Sequence, residues 1–137
     1  MPNSADLDIA SLSFLVVDDE AFIQKLAVRV LGTLGATNVD TVGDGVEALA
    51  YLDSNDAEPD IMLVDLNMPI MGGVELLRKL AERNYTGAII LASGADAETL
   101  AVAEGMAKYR EVNVLGYITK PVTPVALKEM LSGVNLP

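Results

Sequence analysis

Asp18, Asp19, Asp65, Ser93 and Lys120 are the residues whose types and spacing could do chemistry, because each stands at or just past the end of a short apolar run. If the runs are strands of one sheet, the three aspartates meet at one edge. Carboxylates about 4 Å apart repel by about 4 kcal/mol per pair at an effective dielectric near 20, so a cation has to sit among them. The chain has no histidine and no cysteine, which leaves hard oxygen ligands and favours magnesium, an ion that also holds phosphate oxygens. A carboxylate can attack phosphorus and form an acyl phosphate. Asp65 stands alone behind the central run and is assigned that role, while Asp18 and Asp19 hold the metal with the backbone carbonyl of Asn67 as a further ligand. Ser93 and Lys120 supply a hydroxyl and an ammonium for the arriving phosphoryl oxygens.

Taken singly, each residue has a plainer role. Asp18 and Asp19 open a helical pattern and could cap it, and Asp65 precedes a loop where acidic turn residues are common. Ser93 with Gly94 is an ordinary loop pair. Lys120 is distinguished by Pro121, which keeps the residue before it extended and makes a cis bond accessible. The joint placement of all five gives the chemical reading its weight.

The elements that must position them alternate regularly. Apolar runs at 14–17, 39–42, 61–64, 88–92 and 112–118 read as five strands. Four are almost wholly apolar, as strands covered on both faces are. Phe22, Leu26, Val30 and Leu34, flanked by Ile23, Ala27 and Leu31, form a helical stripe that ends at Gly32 and Gly35. Asp44 caps a helix carrying Val46, Leu49 and Leu52, and Val74, Leu77 and Ala81 mark the inner face of another. A further helix begins at Asp96, and Thr123 with Pro124 starts the last, with Leu127 and Leu131 inward. Five strand-helix units imply an α/β fold, a parallel sheet with helices on both faces, in which ligands bind beyond the carboxyl ends of the strands.

The run from Phe14 to Glu20 with its aspartate pair, the segment Asp65 to Pro69 with Gly73 behind it, Ser93 with Gly94, and Tyr117 to Pro121 with Lys120 occur in this order, each at a strand end. In these four segments the chain resembles the receiver domains of two-component response regulators from Leu12 to about Ser132. The resemblance implies a flavodoxin-like (βα)5 doubly wound fold with strand order 2-1-3-4-5. It further implies that Asp65 takes a phosphoryl group, with Mg2+ required, from a phosphohistidine on a sensor histidine kinase or phosphotransfer protein, or from a small phosphodonor. Ser93 would then move to the phosphoryl group and Tyr117 would rotate inward behind it, altering an output surface read by an unidentified domain or protein. Such a domain catalyses its own phosphorylation and dephosphorylation and is not otherwise an enzyme. Gly72 departs from the polar helix-capping residue common in the family, and Ala95 offers no side chain to steer a hydrolytic water. The long stretch from Asp96 to Val112, with Val114 to Tyr117, is similar to receivers that accompany cyclic-di-GMP phosphodiesterase domains.

Bulk properties agree with this reading. A chain of 137 residues, 51% hydrophobic, has room for one ordinary core. The expected organisation is a tail over 1–11, a receiver domain over 12–132 and a tail or linker start over 133–137. Nine basic against 20 acidic residues give a net charge of −11, which repels nucleic-acid backbone. No apolar run approaches the roughly 20 residues of a membrane span, and the polar start lacks the pattern of an export signal, so a cytoplasmic location without membrane contact is expected. A homodimer is left open. The competing function is a phosphorylation-independent interaction module of the same fold, which five intact site residues argue against. A haloacid-dehalogenase-like phosphatase would need an acid where Asn67 stands, and no glycine-rich phosphate loop follows the first strand.

Overall fold

The structure is a computed structural model that describes residues 8–54, 57–66, 71–93 and 112–132. After a short 3-10 turn at Ile9–Ser11 come β1 (Ser13–Val17), α1 (Ala21–Thr33), β2 (Asn38–Val42), α2 (Gly45–Ser54) and β3 (Ile61–Asp65). They are followed by α3 (Gly73–Glu82), β4 (Ala88–Ser93), β5 (Val114–Thr119) and α4 (Pro124–Ser132). The helix expected from Asp96, Asn67 with its backbone carbonyl, and Ala95 lie outside the described residues.

The five strands form one parallel sheet in the order β2-β1-β3-β4-β5, as the resemblance implies. All residues of β3 and β4 are buried, because helices cover both faces of the central strands. On one face, Leu15, Val17, Met62, Val64, Ile89 and Leu91 pack against Ala48 and Leu52 of α2 and Leu76, Leu77 and Leu80 of α3. On the other, Phe14, Val16, Ile61, Leu63, Ile90 and Ala92 meet Ala27, Val30 and Leu31 of α1 and Leu127 and Leu131 of α4. Consecutive strand residues therefore serve opposite cores.

Helix capping follows the residue chemistry. Asp44 Oδ1 accepts the Glu47 N–H at 2.9 Å, satisfying an orphan donor at the start of α2, while the Glu47 carboxylate accepts the N–H of Gly43, the residue before the cap, at 2.8 Å. Thr123 Oγ1 accepts the Ala126 N–H at 3.2 Å at the start of α4. Gly35, at φ 106°, turns the chain out of α1 so that the Ala36 N–H reaches the Leu31 carbonyl, a conformation that side chains disfavour. Gly72 stands at the N-cap of α3 without a side-chain cap bond.

The helical stripes differ from expectation in their first turns. Phe22 and Val46 are exposed, at 74% and 51%, and the buried residues are Ala27, Val30 and Leu31 in α1 and Gly45, Ala48 and Leu52 in α2. In α3 the buried face is Leu76, Leu77 and Leu80, with Val74 and Ala81 only partly covered.

Candidate functional site

The parallel register sets the site. Val17 pairs with Val42 and with Val64, and Val64 with Leu91, so these four residues form one level across the sheet. One step on, Asp18 and Asp65 leave neighbouring strands side by side, with Asp65 opposite Ala92. Ser93 pairs with Thr119, and the following Lys120 donates its backbone N–H to the Ser93 carbonyl at 2.9 Å. The Lys120–Pro121 peptide is cis.

Asp18 and Asp65 are almost wholly buried, at 3% and 2% exposure, which obliges each carboxylate to have partners. Lys120 Nζ lies 2.9 Å from Asp18 Oδ2 and 3.1 Å from Asp65 Oδ2 and bridges the two. Burial works to lower the Lys120 pKa, but hydrogen bonds and charge from Asp18 and Asp65 outweigh it and hold the ammonium above the usual lysine value. The other oxygen of Asp18 accepts the Glu20 N–H at 2.9 Å. This bond turns the chain just before α1, whose N-cap is Glu20, so neither aspartate caps that helix with its side chain.

Asp19 is exposed and completes the acidic group: Asp18, Asp19 and Asp65 each offer a carboxylate oxygen, all within 4.8 Å of one another. Three hard anionic donors at this spacing fit a small divalent cation that keeps part of its water shell. Lys120 offsets only one of the three charges. Ser93 is buried at the end of β4. Tyr117 differs from the buried Asp18 and Asp65 in its exposure. It is 47% exposed and lines, with Pro121, Thr123 and Met130, a groove of about 460 Å³ between β5 and α4.

Two contributors leave no trace in strand-end reasoning. Gln24 Nε2 donates to the carbonyls of Asp18 at 2.7 Å and Val42 at 3.2 Å. The Met71 carbonyl, just before α3, accepts the Gly45 N–H at 3.3 Å, and the Met71 side chain packs where a Cβ on Gly45 would fall. A lone amide in the first turn of an apolar helix was the available signal for Gln24. The Gly45–Met71 contact has no signal short of the fold itself.

The response regulator receiver domain family matches residues 14–132, and the chain belongs to this family. It is 34% identical over 124 residues to chemotaxis protein CheY1 of Helicobacter pylori, covering 88% of this chain and 94% of that protein. It is 31% identical over 128 residues to the positive alginate biosynthesis regulatory protein of Pseudomonas aeruginosa, covering 92% of this chain but 48% of that regulator, so the chain spans about half of its length. The crystal structure of a response regulator from Colwellia psychrerythraea superposes with a TM-score of 0.73 at 32% identity, over 89% of this chain and 95% of that one. The chain is therefore a phospho-accepting receiver domain of the two-component type, a signalling domain. Among the described residues, no helix is long and apolar enough to cross a membrane.

Proposed function

We propose that Asp65 is the phosphoacceptor, that Asp18, Asp19 and Asp65 hold Mg2+ with the Asn67 carbonyl as a further ligand, and that the donor is a phosphohistidine of a sensor kinase or phosphotransfer protein. The observation that carries this reading is the Lys120 ammonium between Asp18 and Asp65, with the Asp19 carboxylate beside them. A carboxylate oxygen of Asp65 forms the new P–O bond as the P–N bond of the donor breaks, and the imidazole nitrogen leaves with the bonding pair. When bound, Mg2+ neutralises carboxylate and phosphoryl charge together.

Lys120 already bears on Asp65 and needs only a side-chain adjustment to meet a phosphoryl oxygen, as a clamp prepared for charge that has yet to arrive does. The buried Ser93 hydroxyl is the second donor, and Tyr117 beside its groove is the switch residue whose inward rotation changes the surface offered to an output partner. A swing of such a two-state equilibrium from 1:99 to 99:1 takes about 5.5 kcal/mol of differential contact. Charge-assisted bonds from Ser93, Lys120 and the metal are of that order. The domain occupies 12–132 and acts in the cytoplasm.

The test is incubation with acetyl phosphate and Mg2+ followed by intact-mass measurement. The wild-type chain gains one phosphoryl group and Asp65→Asn gains none. A wild-type mass that does not change would favour the phosphorylation-independent interaction module.

A further inference from the structure

Asp18 is the first residue beyond the β1 ladder, so its backbone groups need partners that the sheet edge no longer supplies in full. Its N–H donates to the Val42 carbonyl at 3.1 Å. Its carbonyl accepts from Gln24 Nε2 at 2.7 Å, and the same nitrogen reaches the Val42 carbonyl at 3.2 Å. One side-chain amide thus joins the end of β1, the end of β2 and the first turn of α1. Gln24 is itself held, since its backbone N–H donates to the Glu20 carbonyl at 3.0 Å. With the Asp18 carboxylate anchored on the Glu20 N–H, the two-residue passage through Asp18 and Asp19 is pinned at both ends.

We infer that Gln24 is a positioning residue for the acidic site, holding the loop that carries Asp18 and Asp19 at the separation from Asp65 that a divalent cation requires. The inference rests on the metal-centred reading proposed above. The physical need is specific. Three carboxylates with one lysine among them push apart when no cation is present, and Asp19 is exposed and free to follow that push unless its backbone is fixed. An amide donor supplies the restraint without adding charge to a site whose charge balance is already strained. The side chain is half-buried and its amide donates to backbone carbonyls, so it acts through the Asp18 backbone.

The test is Mg2+ titration of the unphosphorylated full chain by calorimetry, with thermal midpoints measured in chelator. Loss of a group that orients metal ligands typically weakens metal affinity by 10–100-fold, so Gln24→Leu is expected to raise the Mg2+ dissociation constant by about tenfold or more while the midpoint in chelator changes little. Gln24→Lys, which keeps a donor, recovers part of the affinity despite its added positive charge, and Gln24→Glu, which presents an acceptor to two carbonyls, stays weak despite its added negative charge. If the leucine variant fails to fold, the contrast between Lys and Glu carries the same test. A dissociation constant for Gln24→Leu within about twofold of wild type, or a lysine variant as weak as the glutamate one, overturns the inference. A wild-type chain that takes no Mg2+ overturns the metal-centred reading and this inference with it, so the two failures are told apart.

Discussion

Gly73 packs directly against the backbone of Asp65. A Cβ at Gly73 would lie 2.8 Å from the Asp65 carbonyl oxygen and 2.7 Å from the Leu66 Cα, and the Gly73 N–H donates to the Leu66 carbonyl at 3.3 Å. The start of α3 thus supports the end of β3 from behind, which explains a glycine at the first position of a helix that has no need of its flexibility.

Gly73→Ala is expected to lower stability by about 1–3 kcal/mol, because a Cβ there meets the Leu66 and Asp65 backbone as well as the Leu66 side chain, and backbone cannot move aside as a side-chain end can. Urea denaturation measures this, and phosphorylation by acetyl phosphate should slow in parallel as Asp65 is displaced. An unchanged urea midpoint would show that the loop before α3 gives way freely.

Lys120→Met removes the cation that Asp18 and Asp65 share. In chelator the variant should lose up to about 3 kcal/mol, less than for a fully buried pair because the lysine retains some solvent contact. Mg2+ should then raise its thermal midpoint by more than it raises the wild-type midpoint, since the ion no longer competes with an ammonium for the same oxygens. Equal shifts in the two proteins would count against that competition.

Tyr51 tests the pH dependence away from the site. Its hydroxyl donates to Asp40 Oδ2 at 2.6 Å, and this bond, then burial, then the Asp40 charge push its pKa from 10.0 up to about 12. The folded value exceeds the unfolded one, so the stabilisation is complete below pH 10 and is lost as pH rises through about 12. The stability difference between wild type and Tyr51→Phe should therefore shrink over that interval, as read by denaturation at a series of pH values. A difference constant across it would place the contribution elsewhere.

Much of the fold is legible in the sequence where burial is two-sided. The runs behind β1, β3 and β4 are nearly pure aliphatic because helices cover both faces, whereas the apolar run of β5 imitates that pattern on a strand that is only partly buried. The edge strand β2 is harder, with Asn38, Asp40 and Thr41 exposed. Helical periodicity finds α1 and α2 but assigns Phe22 and Val46 to the core, since periodicity reports a face and not what covers it. The meeting of Asp18, Asp19 and Asp65 with Lys120 follows from strand ends in register. The Gln24 bonds do not, because a side-chain amide reaching backbone carbonyls leaves no spacing rule behind.

Lys120 has two ends with different attachments. Its ammonium holds Asp18 and Asp65, and its backbone N–H holds the Ser93 carbonyl at the seam of β4 and β5. The acid centre and that seam therefore share a moving part, and the slack between them is no more than the torsions of one side chain. Through this one residue Asp65 is linked to the end of the strand bearing Tyr117 by polar contacts alone, outside the hydrophobic layers.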